Sequence, residues 1–258
     1  MFLLIPEIIV ENGCCILNIQ GEQGMEKHYK KISRNPKGLL ELLRRENSKA
    51  LQITDYGSNE LDSKSNLDSL IILAGAVDIA IQVMSDFKTI DECRYLLDNG
   101  IYRIILSDLA LTAPDEVRAL VKEYTASRVV ASVRSESGKV KSNNPDVSMS
   151  DVDLINHYEQ LGISRILYIQ SDRLDNPEGF DREDLIRVSE RCKSRITIYQ
   201  NVNNHDQLVG IQSMLKHRVD SVVIGKALFE NRFPCQKIWR EIESELETDS
   251  DYEDETTK

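Results

Sequence analysis

At 258 residues and 41% hydrophobic, the chain can bury one large core, and single α/β barrels commonly have this length. A formal net charge of −11 disfavours nucleic acid as the main partner, and none is expected, because polyanion binding relies on Lys and Arg neutralising phosphates. Cys14, Cys15, Cys93, Cys192 and Cys235 are odd in number and show no C-x-x-C spacing, so neither a disulfide framework nor a zinc or other metal site follows; reduced thiols in a cytoplasmic protein fit best.

The opening "MFLLIPEIIVE" is apolar but short. It lacks a basic leader and a small-residue cleavage site and carries Glu7, so it reads as a first core strand and not as a signal peptide. No apolar run approaches the ~20 residues needed to span a bilayer, so no membrane association is expected. Residues 36–45, with Leu39, Leu40, Leu42 and Leu43, have helical spacing, and "ALQITD" follows as a strand. "NLDSLIILAGAV" is helical and "IAIQV" a strand; "TIDECRYLLDNG" is a helix with Thr89 as N-cap and Gly100 just past its end. Next come the strand "YRIILS", the helix "APDEVRALVKEYT", the strand "RVVASV" and the capped helix "SMSDVDLINHYEQLG". The pairs "RILYIQ" and "DREDLIRVSERC", then "RITIYQ" and "HDQLVGIQSML", precede "SVVIG" and a last helix through Trp239.

This makes eight strand and helix pairs, with the near-continuous apolar strands of a parallel sheet buried on both faces. The fold class is α/β, with a closed single (βα)8 barrel over 1–240 as the leading architecture and a doubly wound open sheet as the alternative. A weak echo, "QV" at Gln82 and "IILS" against "QN" at Gln200 and "VVIG", suggests two half-barrel repeats. "GKVKSNNPDVSMS", residues 138–150, is the largest polar interruption and reads as a mobile surface loop, or a lid over the active face. Segment 241–255 holds nine acidic residues and no basic one. With the rest of 241–258 it reads as a frayed helix end passing into a disordered, solubilising tail, an acidic docking tail being the sharper alternative.

"LIPEIIVENG", "QITDYG", "IQVMSDFKTIDECRYLLDNGIYRIILSDLAL" and "VDSVVIGKALFENRF" together resemble the histidine-biosynthesis barrels, and among them the ProFAR isomerases. The resemblance runs from about Leu3 to Trp239. It implies an Amadori-type rearrangement of a phosphoribosyl aminoimidazole-carboxamide intermediate, with no cofactor. Such chemistry needs a general acid and a general base on opposite sides of the substrate, one to protonate the furanose oxygen and one to remove a carbon-bound proton. The resemblance puts carboxylates at strand ends that are Ile9, Ser132 and Gln170 here, with Ile169 in place of a threonine. None of these is a useful acid or base unaided. Glu7, Asp55 and Asp172 are possible substitutes.

The resemblance also implies two phosphate sites built from glycine turns, where a missing Cβ lets backbone N–H groups approach the oxygens. The expected glycines are Met84-Ser85-Asp86 after the third strand, Ser107 followed by Asp108 after the fourth, and Gln200-Asn201 after the seventh; only Gly225 remains after the eighth. Asp86 and Asp108 would repel a dianion. The candidate ligand-contacting residues are thus Gly225, Lys226, Gln200, Asn201 and Ser107. Gly225-Lys226 is read either as an anion site on a helix N-terminus or as close strand-to-helix packing. Asp55 either orients a ligand or makes a structural hydrogen bond. Asp172, Arg173 and Arg134 form either a new polar site or, by preference, an exposed ion pair. His28, His157, His205 and His217 are scattered and read as solvated.

Three functions remain open. The chain is a barrel that has lost the isomerase chemistry and binds a small anionic or polar ligand or a protein partner; or a divergent enzyme acting on another small ligand at the barrel mouth; or an isomerase with relocated acid and base.

Overall fold

The computed structural model describes residues 2–16, 35–57, 62–142, 147–174, 179–200, 202, 204–225 and 228. Eight parallel strands occur in chain order: β1 (Leu3–Glu11), β2 (Ala50–Asp55), β3 (Ala80–Met84), β4 (Arg103–Leu106), β5 (Val129–Glu136), β6 (Arg165–Gln170), β7 (Arg195–Tyr199) and β8 (Val219–Ile224). Each pairs with the next, and β1 pairs with β8 in the register Leu3↔Ser221 to Pro6↔Ile224, which closes a single (βα)8 barrel. Because β1 is hydrogen-bonded on both sides, the sheet has no free edge there and the open-sheet alternative falls.

The intervening helices are α1 (Pro36–Arg45), α2 (Ser63–Ala74), α3 (Ile90–Asp98), α4 (Pro114–Tyr124), α5 (Asp151–Gln160), α6 (Arg182–Arg191) and α7 (His205–Gln212); the last helix expected after β8 lies outside the described residues. Local chemistry fixes their starts. Thr89 and Glu92 form a reciprocal capping box on α3, and Asp62, Ser150, Asp181 and Asn204 each accept a backbone N–H two or three residues into their helices.

Strand alternation builds two cores. Ile8 and Val10 face outward and join the shell packed against the helices, with Leu39, Leu40, Leu96, Leu97 and Val117. Ile5, Ile105, Val130, Leu167, Ile169 and Val223 face inward and fill the barrel.

The segment 138–150, read from the sequence as a surface loop or lid, opens with regular structure, and its residues 143–146 lie outside the described residues. β5 continues to Glu136 and folds back through Lys139–Val140 as a short hairpin, Gly138 at its turn taking φ +80° and Lys139 bridging to Ser150. Among the described residues no helix is long and apolar enough to cross a membrane.

Candidate functional site at the barrel mouth

A cavity of about 700 Å³ opens beyond the carboxyl ends of β2 to β5, under the hairpin. Strand ends and the turns after them supply its polar wall: Asp55, Ser85, Asp86, Ser107, Asp108, Ser132 and Arg134. The turns after β3 and β4 therefore do reach the cavity, and they bring side-chain carboxylates to it.

Asp55 is tied into the wall. One carboxylate oxygen accepts the Gly57 N–H at 2.9 Å; the other accepts Asn66 Nδ2 at 2.9 Å and Ser85 Oγ at 2.8 Å. It is buried and joins β2, α2 and the turn after β3, which matches the structural alternative. Asp86 pairs with Lys88, both exposed, and Asp108 accepts weakly from Ser142 at 3.4 Å. Ser132 spends its hydroxyl hydrogen on the Leu106 carbonyl at 3.1 Å. Ser107 lines the cavity, half-buried.

Below the mouth, the barrel interior holds Glu7. One of its oxygens accepts Gln52 Nε2 at 3.0 Å and the Thr54 hydroxyl; the other accepts the Tyr199 hydroxyl at 2.7 Å. Gln52 in turn accepts from Gln82 at 2.7 Å, and Gln82 from Arg103 at 3.3 Å, so a polar chain links β1, β2, β3, β4 and β7. Burial pushes the Glu7 carboxyl above its ordinary value, against the opposing pull of the three donors. Burial, and then Glu7 itself, push the Tyr199 hydroxyl up as well. Glu7 is 1% exposed and does not line the cavity. Ile9, next on the inward face of β1, stands in register with Thr54 above it.

Gly225 has a reason of its own. A Cβ there would lie 2.9 Å from Glu7 Oε2, so the missing side chain makes room for a fixed carboxyl. The close packing at Gly225 is against β1; the helix expected to follow it lies outside the described residues. Lys226 and Asn201 lie outside the described residues. Gln200 is buried, donates from its Nε2 to the Arg173 carbonyl at 2.7 Å, and its Oε1 has no partner among the described residues.

Two expected placements change. Gln170 faces outward, not into the mouth: its Nε2 donates to Asp184 at 2.9 Å and its Oε1 accepts the Asp181 N–H at 2.9 Å, while neighbouring Ile169 faces the interior. The ion pair expected among Asp172, Arg173 and Arg134 gives way to Arg173 facing Asp181 at 3.8 Å and exposed Asp172 accepting from Ser137 at 3.4 Å. Neither Asp172 nor Arg173 lines the cavity. His157 also departs from a solvated reading, being half-buried with its Nε2 unpaired.

Sequence reasoning missed the partners of Glu7. Their signal was available: Gln52 and Thr54 occupy alternate, hence same-face, positions of a six-residue strand that is buried throughout.

A profile described as "Histidine biosynthesis protein" matches residues 3–234. Among curated proteins, those named 1-(5-phosphoribosyl)-5-((5-phosphoribosylamino)methylideneamino) imidazole-4-carboxamide isomerase, which is ProFAR isomerase, are similar over nearly the whole chain. The protein of that name from Pelodictyon phaeoclathratiforme is 31% identical over 97% of both chains. One from Chlorobium phaeobacteroides is 32% identical over 97% of this chain and 96% of its own length, and one from Chlorobium chlorochromatii is 30% identical over 97% of each.

Proposed function

Since this chain belongs to the histidine biosynthesis protein family and is an isomerase-family barrel, we propose that it keeps the barrel as a binding scaffold and does not catalyse the ProFAR isomerase reaction. One observation carries this reading. At the strand ends where the resemblance puts carboxylates, Ile9 on β1 is aliphatic, the Ser132 hydroxyl on β5 is committed to a backbone carbonyl, and Gln170 on β6 is turned outward, leaving aliphatic Ile169 on the inner face. The occupant we favour is a small polar ligand meeting Ser85, Asp86, Ser107, Asp108 and Arg134. A bis-phosphate is disfavoured, because the turns after β3 and β4 present carboxylates where backbone N–H groups would have to grip an anion.

The test is turnover of synthetic ProFAR by the purified protein, beside an authentic isomerase and an Ile9→Asp variant, with thermal unfolding in the presence of substrate. No turnover and no rise in Tm are expected. A ligand at a hundred times its Kd adds about 2.7 kcal/mol of stability, so real binding would be visible. Clear turnover by the unmodified protein would overturn the proposal.

A second reading, a divergent enzyme, rests on the Glu7–Tyr199 contact: a buried carboxyl with a raised pKa has the profile of a general acid, and half-buried Tyr199 is its link toward the mouth. Activity on any small substrate that disappears in both Glu7→Gln and Tyr199→Phe would promote this reading.

A further inference from the structure

The opposite, amino-terminal face of the barrel carries a concentration of positive charge that neither the cavity nor the family chemistry uses. If the first residue of each strand is taken together with the residue before it, six of these positions are basic: Lys49, Arg103, Arg128, Arg165, Arg195 and Arg218. None is acidic, in a chain whose net charge is −11.

Most of these cations are held by neutral acceptors. Arg128 donates to the carbonyls of Leu97, Ile101 and Tyr102 at 3.1, 2.8 and 3.0 Å, Arg103 to that of Ser127 at 2.7 Å, and Arg218 to that of Cys192 at 2.5 Å. Carbonyls position a guanidinium without cancelling its charge. Asp220 does cancel charge, but it is shared by Arg165, at 2.5 and 2.8 Å, and Arg195, at 3.3 Å. Of the carboxylates on the surrounding loops, Asp78 is paired with Arg44 and Glu123 with Arg94, whereas Asp98 and Glu159 are held by neutral donors and keep their charge. The side chain of Arg195 is 68% exposed. Burial, and then the nearness of Arg165, hold Arg103 below its ordinary pKa, as expected of crowded cations.

The chain carries a complementary anion. Residues 241–255 hold nine carboxylates and no basic group. Leu228 follows β8, lines a smaller cleft with Phe2 and Lys49, and lies thirteen chain steps, with twelve residues between, before Glu241. Thirteen steps span about 20 Å as a helix and about 40 Å extended. A six-residue strand such as β8 is about 20 Å long, so either path reaches the amino-terminal face. Tethering would hold the anion there at a local concentration on the order of millimolar.

We propose that acidic segment 241–255 docks on the ring of Lys49, Arg103, Arg128, Arg165, Arg195 and Arg218 in the same chain. The test uses the full chain and a full-length variant in which the nine Glu and Asp of 241–255 become Gln and Asn. Each is titrated with a fluorescent peptide of sequence 241–255 at low salt, after circular dichroism has shown equal folding. The wild-type tail occupies its own ring, so the variant should bind the peptide at least about tenfold more tightly. Raising salt to about 0.5 M should abolish that binding, and adding Arg195→Gln and Lys49→Gln to the variant should weaken it. Equal binding by the two proteins, no binding by either, or binding insensitive to Arg195→Gln and Lys49→Gln would overturn the proposal. So would a wild-type dimer that becomes monomeric in the variant, since the tail would then occupy a second copy.

Discussion

Glu7 and Gly225 form one unit. The carboxyl sits where a side chain on Gly225 would have to go, and three donors hold it there. Gly225→Ala should therefore destabilise the protein by about 1–3 kcal/mol, the usual penalty for overpacking. In a Glu7→Ala background the same change should be nearly neutral, which a double-mutant cycle by urea unfolding would read directly. The raised pKa of Glu7 also has a sign. Between about pH 4.5 and the folded-state pKa, the folded protein holds a proton that the unfolded chain has released, so stability falls as pH rises through that window. Against Glu7→Gln, which cannot titrate, the wild type should gain stability as pH is lowered from neutral toward 4.5. Parallel stability curves for the two proteins would show that Glu7 is not the group responsible.

The elements are joined around a second buried carboxylate. Asp151, the first residue of α5, is fully buried and accepts from Ser135 on β5 at 2.8 Å, from Tyr168 on β6 at 2.6 Å and from Arg187 on α6 at 3.1 and 2.6 Å. Burial works against its charge, but the hydrogen bonds from Arg187, Tyr168 and Ser135 outweigh it and hold its pKa below the ordinary range. Asp184 completes the cluster by accepting from Gln170 and Arg187, with the Tyr168 oxygen 2.8 Å from its carboxylate. Asp151→Ala would remove the buried acceptor of Ser135 and leave Arg187 and Tyr168 with Asp184 alone, and should cost about 1–3 kcal/mol by denaturant unfolding. The contribution is present above about pH 3.8 and lost as pH falls through the lower folded-state value. The capping box on α3 is a smaller and independent element: Thr89→Ala should remove about 1 kcal/mol and leave ligand binding unchanged.

At the scale of the molecule, the barrel separates two faces of different chemistry. The carboxyl-terminal face presents a cavity of mixed charge, lined by Asp86 and Asp108 together with Lys88, Arg134 and Lys141; the amino-terminal face presents a cationic ring. Inorganic phosphate at about 10 mM should not raise Tm through the cavity, because the ion would have to approach those carboxylates. A variant carrying Ser85→Gly, Asp86→Gly and Asp108→Gly removes both charges and frees backbone N–H groups, and any phosphate stabilisation that appears only there would support the repulsion argument. Stabilisation of the unmodified protein that survives Arg195→Gln and Lys49→Gln, and so does not come from the ring, would contradict it.

The sequence by itself determined the barrel. Strands such as "ALQITD" and "RILYIQ" match β2 and β6 end to end, because a run of buried β-branched residues between turn signals has few other uses. It also determined the starts of α3 and α5, since Thr89, Glu92 and Ser150 act on backbone a few residues away. Which polar groups meet was decided only by the tertiary structure. Glu7 and Tyr199 are 192 residues apart and touch because β1 and β7 flank β8 in a closed ring. Gln170 and Ile169 exchange the roles their neighbours in sequence suggest, because strand alternation sends one outward to α6 and the other into the core. Hydrophobic periodicity is local and is written along the chain, whereas the facing of polar side chains across a barrel depends on closure and register, which no single segment contains.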